Sequence, residues 1–81
     1  MRLKWITDED VLEAIVERGG DGYCLAADVL PQLPKRTHSD RRRAVHRCVR
    51  HGLVIQRRGP DGRNYVAVAS EGWRLLRARA A

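Results

Sequence analysis

The chain has 81 residues, 16 of them basic and 10 acidic, for a formal charge of +6. That length supports one small domain over residues 1–81 with a single modest core. No apolar run approaches the roughly 20 residues of a membrane span, and the opening MRLKWITDEDV lacks the apolar centre of a signal peptide.

The charges are segregated. Residues 1–34 hold three basic residues against seven acidic ones, whereas residues 35–63 hold ten basic residues against Asp40 and Asp61. Solubility alone would mix the signs; cations gathered in one contiguous third predict a face built to meet a polyanion. Arginine outnumbers lysine 14 to 2, which suits bidentate recognition of phosphate and guanine. A GC-rich genome would produce the same residue choice, but not its placement. Cys24 and Cys48 lie singly in apolar stretches, so reduced thiols and a cytoplasmic protein are expected, associated with a bacterial nucleoid if bound to DNA.

In chain order, Thr7-Asp8-Glu9-Asp10 opens a helix. Thr7 is the cap, Asp10 completes a capping box, and Ile6 and Val11 are placed as a hydrophobic staple. Val11, Leu12, Ile15 and Val16 form the apolar stripe, and Gly19-Gly20 end it. The acidic run is then first-turn and solvent-face chemistry rather than a catalytic or metal cluster. Tyr23-Cys24-Leu25 reads as an edge strand. A short helix follows from Ala26 to about Leu33, with Pro31 either in a first turn or ending it early.

Lys35-Arg36-Thr37-His38 forms a turn into the third helix, about 38–51, with Thr37 capping, Asp40 in a second box and Gly52 terminating. Ala44, Val45, Cys48 and Val49 make its apolar side. Ser39, Arg42, Arg43, His46, Arg47 and Arg50 gather on the other, while Arg41 falls inward and must snorkel or pair. Two strands follow over about 53–69, joined by Gly59-Pro60-Asp61-Gly62, a strong hairpin turn whose tip presents Arg57, Arg58 and Arg63. Ser70-Glu71-Gly72 opens a last helix. Trp73 and Leu76 share one face of it and Leu75 points to the opposite one, which leaves a surface for a homodimer partner. Trp5, Tyr65 and Trp73 are expected in the core and Tyr23 in the core or at its boundary.

The stretch SDRRRAVHRCVRHGLVIQRR, the Gly-Pro-Asp-Gly turn and NYVAVASEGWRLL resemble the winged helix-turn-helix regulators, in the pattern shared by MarR- and PadR-type repressors. The resemblance spans about residues 7–77. It implies an α+β, mostly helical fold: a three-helix core, a short strand, a two-stranded wing hairpin and a C-terminal helix. It further implies sequence-specific binding of double-stranded DNA by a small transcriptional regulator. The third helix would enter the major groove and the wing would lie on flanking backbone or in the minor groove. The families' ligand sensing is not implied, since their long extra helices have no counterpart here.

Ser39, Arg42, Arg43 and His46, nearest the helix start, are the expected base-edge readers. Arg47, Arg50, Lys35, Arg36, Thr37, His38 and the hairpin arginines are expected on phosphate. His46, Cys48 and His51 invite a metal reading, but the helical turn sends them in three directions, so no metal or other cofactor is expected. No nucleophile stands with a base and an orienting partner, and no enzyme is expected. Two alternatives remain: a protein-interaction module docking through acidic helix 1, and RNA binding through the same basic face.

Overall fold

The structure, a computed structural model, describes residues 5–80. It is an α+β fold of four helices and a three-stranded antiparallel sheet. In chain order these are α1 (Asp8–Gly19), β1 (Cys24–Leu25), α2 (Ala26–Val29) with a 3₁₀ turn (Leu30–Gln32), α3 (His38–Arg50), β2 (Val54–Arg58), β3 (Asn64–Val68) and α4 (Ser70–Ala80). Among the described residues no helix is long and apolar enough to cross a membrane.

Helix α1 is the hub, in contact with the other three helices and with β3. Its start follows the expected chemistry. Thr7 Oγ1 accepts from the Asp10 backbone N–H at 3.1 Å, and the Asp10 carboxylate accepts from the Thr7 N–H at 2.9 Å. The box satisfies two end donors that burial would otherwise strand. Val11, Leu12 and Ile15 are completely buried, each contributing about 1.5–3 kcal/mol of transfer free energy. They meet Val29 from α2, Ala44, Val45 and Cys48 from α3, and Val54, Val66 and Val68 from the sheet.

Pro31 decides the second helix. One α-helical turn ends at Val29, and the proline sits at the start of the 3₁₀ turn, where its missing N–H costs no intrahelical bond. Helix α3 closes with the paired bonds of a Schellman motif, Gly52 N–H to Val49 C=O and Leu53 N–H to Cys48 C=O, with Gly52 at φ 76°. The cap at the other end is only half the expected box. Thr37 Oγ1 accepts from the Asp40 N–H at 3.1 Å, but the Asp40 carboxylate turns to Arg36 at 3.4 Å.

The sheet order is β1-β3-β2, so β3 is central and its Val66, Ala67 and Val68 are all buried. The hairpin turns through Gly59–Gly62, with Gly62 at φ 80° and Gly59 N–H bonded to Arg63 C=O. This is the three-residue loop whose bulge position demands glycine. Its tip is fixed by Asp61, whose carboxylate accepts from the Tyr65 hydroxyl at 2.7 Å and the Arg63 N–H at 3.0 Å. The tyrosine hydrogen bond, with the backbone donor, holds the Asp61 carboxyl below its ordinary range.

Helix α4 packs its first turn onto the body through Gly72, where an added Cβ would meet the Leu53 carbonyl and the side chains of Val68 and Leu12. That close approach explains a glycine inside a helix.

Several side chains depart from expectation. Trp5 is 76% exposed rather than in the core, and Tyr23 is 42% exposed. Leu75, expected away from the core, packs against it with Trp73 and Leu76. All three remain partly exposed.

Candidate nucleic-acid interface

Helix α3 has its apolar side against α1 and the sheet, which directs its polar side outward. Ser39, Arg42, Arg43 and His46 form a contiguous exposed surface over its first half, and Arg50 is exposed near its end. Lys35, Thr37 and His38 are exposed just ahead of the helix.

On one flank the hairpin rises beside the helix and closes a cleft of about 560 Å³. Its lining includes the apolar Leu25, Leu30, Val45 and Val66 and the polar Asp28, His38, Arg42, His46, Gln56, Arg63 and Asn64. Strand pairing explains which hairpin residues join it. Val54, Gln56 and Arg58 lie opposite Val68, Val66 and Asn64, so these six share the sheet face that packs on α3. Arg57 pairs with Tyr65 on the reverse face, where its guanidinium sits 5.7 Å over the Tyr23 ring. Of the three hairpin arginines, Arg63 lines the cleft, Arg58 shares the sheet face turned toward it, and Arg57 lies on the reverse face. Gln56 and Asn64, which were not singled out in the sequence, do line the cleft. Strand alternation, counted from a known register, was the signal that finds them.

On the other flank, residues 5–8 run alongside α3. Arg47, expected on phosphate, is tied to the start of α1 with its side chain 41% exposed. Its Nε donates to Asp8 Oδ1 and its Nη2 to the Ile6 carbonyl, both at 2.8 Å. Asp8, expected on the solvent face of α1, is thus an interhelical anchor that also accepts from Cys48 Sγ at 3.5 Å and lies 3.8 Å from His51 Nδ1. Burial acts to raise the Asp8 carboxyl, but the Arg47 hydrogen bond and charge, with Cys48 and His51, outweigh it and hold it below its ordinary range. Burial pushes the Cys48 thiol up to about 12, with Asp8 adding to the effect, so it stays a neutral core group.

Arg41 pairs as expected, donating to the carbonyls of Leu33 and Pro34. Arg36 stacks on Trp5, with its guanidinium carbon 4.7 Å from the ring centroid, while paired to Asp40. Among the described residues no three His, Cys, Asp or Glu side chains come together as a metal site would require.

The carboxylates are therefore distributed selectively. Asp8 serves Arg47, Asp40 serves Arg36, Glu71 serves Arg74 and Glu9 serves Arg79. Among the described residues none forms an ion pair with Arg42, Arg43, Arg50, Arg58 or Arg63. Asp61 lies close to Arg63 and Asp28 lines the cleft, but neither forms an ion pair with these cations. Cations on adjoining elements that form no ion pair keep much of their potential outside the molecule, where a polyanion would meet it. No protein-family model matches the chain, and neither a curated protein nor a solved structure matches it.

Proposed function

We propose that the chain is a winged helix-turn-helix domain that binds double-stranded DNA in a sequence-specific manner and serves as a small transcriptional regulator. The observation that carries this reading is the unpaired cationic surface shared by α3 and the inner face of the hairpin, with a cleft between them. An α-helix fits the major groove of B-form DNA, whose floor presents a distinct donor and acceptor pattern for each base pair. Ser39, Arg42, Arg43 and His46 sit on the half of α3 that would enter first and read base edges. Arg50, Lys35, Thr37 and His38 would grip phosphates beside them, and Arg58 and Arg63 would hold the flanking strand. Gln56 and Asn64 add uncharged donors and acceptors on the cleft wall. Arg47 leaves the interface, since withdrawing it would strand Asp8. A regulator of this kind acts by occupying or marking an operator.

Selection from a random duplex pool at about 0.15 M salt tests the proposal, because nonspecific attraction is then largely screened. The expected result is an enriched motif and a log–log salt slope of about −4 to −5, set by four to six phosphate contacts. Retention without enrichment would reduce the protein to a nonspecific binder.

The interaction-module alternative draws on one feature, a shallow groove where Asp10, Glu13 and Glu17 of α1 face Leu33 and Pro34. A basic protein partner would fit that groove. Charge reversal on α3 would leave such docking intact and abolish DNA binding. Equal competition by duplex RNA would instead favour the RNA reading.

A further inference from the structure

The geometry points to Trp5 as a further DNA contact, an uncharged one, on the flank of α3 opposite the hairpin. This inference rests on the duplex-binding reading above and extends it to a residue outside the basic set. A lone exposed apolar side chain is ordinary on a protein surface. Trp5 differs in being exposed and yet held. Its ring lies under the Arg36 guanidinium at 4.7 Å, and Arg36 is pinned at 3.4 Å to Asp40 in the first turn of α3. The backbone just after it is fixed as well: Ile6 is buried, its carbonyl accepts from Arg47, and the Thr7 N–H bonds to Asp10. The indole is thereby fixed to the same helix that carries the candidate base readers.

Its position continues the basic face. Arg43 stands three residues after Asp40, one turn along the same side of α3, so Trp5, Arg36 and Arg43 border one edge of the surface. The hairpin borders the other. A helix seated in a major groove has a sugar–phosphate strand on each side. The hairpin supplies cations to one strand. Trp5 supplies the other with a flat apolar ring for deoxyribose and an indole N–H able to donate to a phosphate oxygen. The occupant is the backbone of duplex DNA rather than an unstacked base, because the ring's one face is already covered by Arg36 and only its edge and other face are open.

The test compares Trp5→Ala with wild type on a mixed-sequence duplex, on the same duplex with a single-stranded overhang, and across a salt series. Trp5→Ala should weaken duplex binding about five- to tenfold at every salt concentration, the scale of one lost backbone contact. Its salt slope should be unchanged because no charge is removed, whereas Arg50→Ala, at a residue assigned to phosphate, should make the slope shallower by about 1. The melting temperature should stay at the wild-type value. In a Trp73→Phe background, whose emission comes from Trp5 alone, duplex should also change the fluorescence. Unchanged affinity and emission for the Trp5 site, with binding lost in Arg42→Glu/Arg43→Glu, would overturn this inference and leave the duplex reading standing. A loss confined to the overhang substrate, or one that tracks a lowered melting temperature, would overturn it too. Failure of the wild type to bind any duplex would remove the underlying reading and this inference together.

Discussion

Arg43 and Arg47 stand one helical turn apart on α3 and have opposite fates. Arg47 meets the Asp8 carboxylate and the Ile6 carbonyl, both at 2.8 Å, and ties the start of α1 to the end of α3. Arg43 meets no carboxylate among the described residues and stays exposed. The same contrast runs through the molecule. Arg47 and Arg79 are matched to acids of α1, whereas Arg42, Arg43, Arg50, Arg58 and Arg63 form no ion pair among the described residues and hold a potential in solvent. Charge per segment therefore says where a polyanion would be attracted. Which arginine is available depends on whether a carboxylate lies within reach.

Breaking the unmatched side should have the largest effect. Arg42→Glu with Arg43→Glu should lower duplex affinity by about 100-fold or more, since two base-reading cations become two anions facing a polyanion. The melting temperature should hold or rise slightly, because like charges on α3 are relieved. An affinity measurement beside a thermal melt separates the two; a collapse of the fold would show that these arginines also hold structure.

The matched side should answer in the opposite sense. Arg47→Ala should cost about 1.5–3 kcal/mol of stability in a urea titration, the range for hydrogen bonds to a charged group, towards the lower end because the pair is partly solvated. The folded fraction should bind duplex with little change. A large affinity loss without loss of stability would return Arg47 to the interface.

Acid should act on the same anchor. The folded Asp8 carboxyl titrates below its ordinary value of 3.8, so its contribution is present above the unfolded value and is lost as pH falls through the folded one. Stability measured from pH 5 downward should therefore decline, and Asp8→Asn, less stable at neutral pH, should show a flatter acid limb. An identical limb in the variant would place the acid sensitivity elsewhere.

The smallest effect should separate two neighbours on β2. Arg58→Ala should weaken binding about three- to fivefold and Arg57→Ala less than about twofold, because only Arg58 shares the sheet face of α3. Equal losses would mean that the hairpin engages DNA edge-on.

Much of the fold was legible in local chemistry. Thr7 with Asp10, Thr37, Gly52 and the Gly-Pro-Asp-Gly turn mark their helix ends and hairpin because each satisfies backbone groups or torsions within a few residues of itself. The apolar stripe of α1 was equally plain, since periodicity is a local property. The inward pull on Arg41 was legible too, from its angle on α3, although its acceptors were not.

What the chain alone determined, then, is element order, capping, the turn and the confinement of positive charge to residues 35–63. Tertiary structure decided the rest of the candidate site. Asp8 and Arg47 are 39 residues apart in sequence, and no periodicity records that their helices cross. Arg57 and Arg58 differ only in strand parity, which has a meaning once β3 and α3 define an inside. Trp5 looked like a core residue by composition, yet Ile6 beside it is buried and the indole is left outside against Arg36. Hydrophobicity states the free energy available from burial, but only the packed geometry determines which side chains find room.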